Sequence, residues 1–472
     1  MAQTKLVFGE WLPDQPGVTG ALTEAKNCIP VTNGYEPMQS EADLSGSAGQ
    51  TLLTAFAGKY AQTSTLFAAG ATQVFKYDNS TRALNAMTTT GYIGIEYWDA
   101  AQFGDVMLLA NGVSKIQAVD LNTTNYFVDV AAAAPTAKYI TIVRDFVVAA
   151  NETDFENKVY WSDINDETNW TASATSQSDS QVIADGGDIM GLAGGEYGLV
   201  LLEKAIYRMT YIGSPLFFQF DAISRGIGCL SNGSIAQYNG LTYFLSNDGF
   251  YASDGQTVKS ISAGKVDNWF FDNADPNSFG IMSSAVDPVK RLVAWCFTNV
   301  FASQLILIYS IDTGKWSYVE TTASAVAIAI TPSVTLEGLD LYSTSIDALT
   351  VSLDARQWAG GDPLFAGVSG QKIITFGGAN KTASIVTGDI DIGRSVITLA
   401  RPLVDGGSAS VAVSARANLS DAISYTTPVA ADTEGRAPLR SAGRYMRVQT
   451  IPSGSWSTCV GVDIDITKQG GR

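Results

Sequence analysis

Apolar residues in this chain come in short runs of four to six, broken by Gly, Asn and Asp, and no stretch keeps a helical 3.6-residue period for long. The clearest unit runs from Leu241 to Ile261. Leu241-Thr242-Tyr243-Phe244-Leu245 leads into Asn247-Asp248-Gly249, then Phe250-Tyr251-Ala252-Ser253, then Asp254-Gly255. This predicts strand, tight turn, strand, tight turn, because Asp-Gly supplies the positive φ that hairpin turns need. Apolar strands taken to open similar units start at Leu66, Val106, Phe146, Leu199, Leu241 and Leu292, and a seventh is expected at Leu339-Asp340-Leu341-Tyr342. The spacing is 40 to 53 residues, the length of a four-stranded propeller blade. The expected fold is therefore all-β: a β-propeller of six or seven blades over residues 51–355, with a stacked sandwich or irregular β-fold as the alternative.

The flanks read differently. Ser410 to Arg416, Tyr445 to Val448 and Val462 to Ile466 alternate strictly, as half-buried antiparallel strands do. Residues 356–472 are therefore expected to form a β-sandwich or platform domain. Residues 1–50, with Trp11-Leu12-Pro13-Asp14-Gln15-Pro16-Gly17, read as an extended arm lying on the platform or on a neighbouring subunit.

Composition narrows the chemistry. The 472 residues include 45 Gly, 19 Tyr, 20 Phe and 9 Trp, which suits pleated surfaces and turns. There is no histidine, which removes Ser-His-Asp and Cys-His catalysis and most zinc sites. The four cysteines, Cys28, Cys229, Cys296 and Cys459, have no C-x-x-C spacing, and the start of the chain does not read as a leader, so buried free thiols are expected. No apolar run is long enough to span a membrane as a helix. Net charge is −17 and unevenly spread: Asp389 to Arg472 carries 8 acidic and 9 basic residues, the rest 38 and 20. An acidic body of this kind disfavours wrapping nucleic acid, which takes Lys and Arg to displace counterions.

Several motifs have a functional and a structural reading. Ser310-x-Asp312-x-Gly314-x-Trp316 is close to a sialidase Asp-box, itself a turn remote from chemistry. Asp163, Asp166 and Glu167 could bind a metal or act as acid and base, but read as a polar loop. Asp463 and Asp465 alternate with Val462, Ile464 and Ile466, as the wet face of a strand. Arg436, Arg440, Arg444 and Arg447 form a basic stretch suited to phosphate or, more simply, to an acidic neighbouring surface. No phosphate loop, dinucleotide fingerprint or kinase set is present. No catalytic, cofactor or metal residue is expected, and the chain does not read as an enzyme.

Four groups of residues together resemble one family. They are Leu12-Pro13-Asp14 with Leu22 to Asn27, Pro30 and Gly34-Tyr35-Glu36-Pro37; Val159 to Asp163 with Asn169-Trp170; Gly228-Cys229 with Tyr243 to Ser246 and Asp248 to Tyr251; and Gly443-Arg444-Tyr445 with Trp456 and Gly461-Val462-Asp463. In this order they resemble the tail tubular, or nozzle, proteins of short-tailed bacteriophages, which include packaged-DNA stabilisation proteins. The resemblance implies a propeller with a separate platform. It also implies a homo-oligomeric ring, expected to be a hexamer, below the head-to-tail adaptor and near tail fibre, spike or needle proteins. Double-stranded DNA would pass an acidic lumen, and the chain would be made in the host cytoplasm and reside in the virion tail. Trp11, Pro13, Tyr35, Arg436, Arg440 and Arg444 are the expected docking residues, an assignment drawn from the arm and the charge split. The rival reading is a glycan-binding or glycan-cleaving propeller of tailspike type.

Overall fold

The structure is a computed structural model that describes residues 2–61, 63–123, 125–330, 337–343, 345–349, 351–354, 358 and 361–468. It is all-β, with a propeller arrangement. Five four-stranded antiparallel sheets follow one another along the chain. Their first strands are Leu52–Tyr60, Asp99–Phe103, Ala137–Val143, Ile189–Ala193 and Ala236–Tyr238. A quartet follows, Ser283–Asp287, Leu292–Thr298, Gln304–Ser310 and Trp316–Thr321, which is also the start of a twelve-stranded sheet. A sixth four-stranded sheet, Ala325–Ile330, Pro363–Ser369, Lys372–Thr375 and Ala42–Asp43, takes its last strand from near the N-terminus. Ile374 pairs with Asp43 and Thr375 with Ala42, so the start of the chain closes the sheet built near its middle.

Each neighbouring pair of blades encloses its own apolar core. Leu52, Leu66 and Phe75 pack with Ala325, Ala366 and Val368, joining the last sheet to the first. Phe67 and Val74 pack with Met107 and Leu109 in the next junction. Phe146, Val148 and Trp161 pack with Val200, Tyr207 and Met209 further round. The junctions are also laced by polar side chains that bond the backbone of the neighbouring blade. Gln102 holds both the N–H and the C=O of Lys59, at 2.9 and 2.7 Å. Asp99 accepts from Ile140 N–H at 3.0 Å, Asn151 donates to Ile189 C=O at 2.8 Å, and Gln237 donates to Gly194 C=O at 2.9 Å. Ser284 donates to Ile235 C=O at 2.9 Å, and Ser283 accepts from Val326 N–H at 2.8 Å. Arg82 closes the circle by donating to Asp43 C=O at 2.7 Å and Leu44 C=O at 3.0 Å.

The apolar runs that mark the repeat lie on the second strand of each blade, not the first. Leu66, Val106, Phe146, Leu199, Leu241 and Leu292 all belong to second strands. These strands are sandwiched on both faces; all five residues of Gly198–Leu202 are buried. First strands line a central cavity along their inner edge and carry smaller and more polar residues. The seventh run, at Leu339, is not a strand: Glu337–Leu341 is a 3-10 helix, and the second strand of that sheet is Pro363–Ser369. The boundary expected between residues 355 and 356 lies outside the described residues.

Beyond the quartet, the twelve-stranded sheet continues through Glu24–Lys26, Ser384–Val386 and two long strands, Ile390–Arg416 and Ala437–Lys468. Lys26 pairs in parallel with Tyr318, joining the propeller edge to the rest of this sheet. The two long strands bend at register shifts, so the first half of one lies between the two halves of the other: Val396 pairs with both Ala442 and Thr467. Ala2–Val7 adds to Gly461–Ile466 as a further antiparallel strand.

Candidate functional site

Residues 8–37 form a joint within their own chain. Trp11 is wholly buried, with its ring centroid 4.9 Å from Trp269 and 5.3 Å from Tyr318, and its indole N–H donates to Thr23 C=O at 3.2 Å. Tyr35 is equally buried and donates to Gly9 C=O at 3.0 Å. Neither can serve as a docking residue for another protein, because each is a core residue of its own chain. Pro13 is half-buried and precedes Asp14, whose side chain reaches the helix Asp267–Asn273. The helix has Val266 at its N-cap, which offers no side-chain acceptor. Asp14 supplies one from 254 residues away, accepting from Asn268 N–H at 2.8 Å and Trp269 N–H at 2.9 Å. Lys265 adds an ion pair to Glu10 at 2.5 Å.

The basic stretch is mostly neutralised within the chain. Arg436 pairs with Asp432 and Glu434, and Arg444 with Asp391 at 3.0 Å. Arg447 and Arg416 share the buried Asp389, Arg447 at 2.9 Å. Burial pushes the Asp389 carboxyl up, but the hydrogen bonds and charges of Arg447 and Arg416 outweigh it and hold it below the usual range. Gly17 lies directly over this cluster: a Cβ there would sit 2.6 Å from an Arg447 nitrogen and 2.8 Å from an Asp389 oxygen. Arg440 differs from the others. It is exposed and has no ion pair among the described residues.

The remaining carboxylates seen in the sequence organise backbone. Asp163 accepts from Ile164 N–H, Gln177 N–H and the Asn169 side chain, and Asp166 from Thr168 N–H, so they fasten the loop between Trp161 and Asp179. Asp463 accepts from Gln3, and Asp465 from Arg401 at 3.1 Å. In the Asp-box-like turn Trp316 is buried, Gly314 has φ +67° and Asp312 pairs with Arg291 at 2.9 Å. Among the described residues no group of three or more Cys, Asp or Glu is placed to hold a metal ion, and no helix is long and apolar enough to cross a membrane. All four cysteines are free and buried, and burial pushes the Cys229, Cys296 and Cys459 thiols up to about 12.

Down the propeller axis runs a cavity of about 580 Å³, lined from all the first strands, including Thr54, Ala100, Thr141, Leu192, Gln237, Ser284 and Val326. Its charged lining residues are Glu96 and Asp99, with no Lys or Arg. Burial pushes Asp99 up to about 7, although the N–H groups of Ile140 and Ala100 favour its charged form. Tyr97 and Asn232 hydrogen-bond to one another at its wall. The cavity has the volume of a small-molecule pocket (about 300–1,000 Å³), so a nucleic-acid duplex would have to pass between chains rather than through one. Asp99 and Asp389 were not legible as important, and Asp14 was legible only as part of the resemblance and not as a helix cap, because the partners that give them their roles lie far away in sequence.

No protein-family profile and no curated protein matches the chain. Solved structures similar to it include one of U3-55K (9% identity, 72% of this chain and 98% of that one, TM-score 0.41). The WD40 repeats of RRP9 (9%, 72% and 98%, 0.42) and the computationally designed Ika8 protein (9%, 78% and 100%, 0.39) are others. At these scores the propeller arrangement rests on the strand topology itself.

Proposed function

We propose that this chain is a structural subunit of the tail nozzle of a short-tailed phage, one copy in a ring that forms the DNA exit channel. The observation that carries the reading is the joint. The N-terminal residues on which the family resemblance rests, Leu12 to Asp14, Leu22 to Asn27 and Tyr35, are the ones that weld propeller to platform. A welded two-part body suits a load-bearing tube element better than a hinged enzyme. The acidic body supports it too: 38 acidic against 20 basic residues outside the last 84 would repel DNA phosphates and keep passage from sticking. Immunogold electron microscopy of virus particles with antibody to this chain tests the proposal. Gold at the tail is the expected result; unlabelled tails, under conditions that label a known tail protein, would remove it.

A saccharide-binding role is the second reading. It is favoured by a groove of about 370 Å³ in which Leu216 and Phe220 stand beside Asp179 and Asp185. Binding or turnover of a glycan panel by the purified chain would bring it forward.

A further inference from the structure

The platform contains a four-stranded antiparallel sheet with two open edges. Its order is Ala2–Val7, then residues 461–467, then 395–401, then 437–443. Among the described residues, Ala2–Val7 pairs only with 461–466, and 437–443 pairs only with 395–400. Each edge leaves a row of backbone N–H and C=O groups facing water, the usual template for adding a further strand. The strand count fixes a parity. With four antiparallel strands the two edges run in opposite directions. A second copy brought alongside by rotation about a ring axis therefore sets its Ala2–Val7 against residues 437–443 in antiparallel sense. The junction then repeats the pairing found everywhere else in the sheet.

We propose that copies of this chain join head to tail by this strand addition, residues 2–7 of one copy on 437–443 of the next. The inference rests on the ring reading above and names its interface. Such a contact is heterologous, so it closes into a ring when the rotation divides a full turn. The edges are guarded against indiscriminate pairing: each carries an exposed cation, Lys5 on one and Arg440 on the other, and Pro438 lacks an N–H. A register with Gln3 opposite Arg440 sets Lys5 opposite Pro438, so no two cations lie directly across the junction. It also places Gln3 and Arg440, both exposed, on the same face of the joined sheet.

Because the native cysteines are all buried, exposed cysteines can be introduced and cross-linked selectively. The test compares Gln3→Cys, Arg440→Cys and the double variant, each treated with a short bis-maleimide at high protein concentration and imaged by negative-stain electron microscopy. The expected result is a ladder of covalent oligomers from the double variant that stops at the ring size. Mixing the two single variants should give heterodimers only. Rings without cross-links would overturn the edge junction and leave the ring reading standing. Cross-linked dimers from Gln3→Cys alone would overturn it in favour of a two-fold pair. Neither rings nor ladder would overturn both.

Discussion

Asp99 and Asp389 are both carboxylates in sparse solvent, and their surroundings drive them in opposite directions. Asp99 meets no cation, so burial raises it to about 7. A native pKa above the ordinary value of about 3.9 means that the folded state binds the extra proton. The stability it contributes is full below about pH 4, falls as pH rises to about 7, and is flat above that. We expect Asp99→Asn to flatten the fall in Tm between pH 4 and 7 that the unaltered chain shows, a difference on the order of a few kcal/mol; parallel Tm curves would contradict this. Asp389 runs the other way, since Arg416 and Arg447 hold it below the ordinary range. Its contribution is present above about pH 4 and lost as pH falls further. Asp389→Ala leaves two guanidinium groups buried without a counter-charge and should cost about 3–5 kcal/mol in urea unfolding at pH 7.

At the scale of elements, the helix Asp267–Asn273 shows how the joint works. It is two turns long, too short to hold itself in water, and its capping acceptor comes from the arm. Asp14→Ala should cost about 1 kcal/mol and speed hydrogen exchange at Asn268 and Trp269 before it does so elsewhere; unchanged exchange there would show that packing on Trp11 alone holds the helix. The same elements explain what the sequence could tell. Second strands were legible because both faces are buried, so Gly198–Leu202 and Leu292–Thr298 read as unbroken apolar runs. First strands were not, because their inner edge meets the cavity and the blade junctions take polar side chains such as Asp99, Gln237 and Ser284. Leu339 to Tyr342 looked like another second strand by composition, yet forms a 3-10 turn whose apolar side chains cover Trp358. The arm was legible as an extended segment, but Trp11 and Tyr35 read as docking residues because nothing nearby in sequence announces Trp269, Tyr318 or Cys459 as their neighbours.

For the whole molecule, charge sorts the candidate contacts. Arg436 and Arg444 are occupied by acids of their own chain, whereas Arg440 is left over. On the nozzle reading proposed above, reversal at all three positions should block incorporation into particles, and the single change Arg440→Glu should account for most of that loss. Arg436→Gln should have little effect on incorporation, measured by quantitative blotting of purified particles. Equal losses from the single changes would mean that the stretch acts through local folding instead. Removing residues 1–45 takes away the closing strand Ala42–Asp43, the Trp11 anchor and the outer strand of the platform together. The shortened chain should therefore melt over a broader range than the full chain, rather than with an equally sharp transition at lower temperature, as followed by circular dichroism.

The closing strand also bears on how the chain is made. Ala42–Asp43 leaves the ribosome early, yet its partner Lys372–Thr375 is synthesised some 330 residues later, and the partner of Ala2–Val7 comes later still. At about 5–20 residues per second those early segments wait tens of seconds without a mate, and the loops they must close rank among the longest the chain allows. Folding should accordingly be slow and should finish only after translation ends. A nascent chain that stops short of residue 460 has no strand to receive its own beginning, so premature products fail to mature and are open to proteolysis before they can enter an assembly.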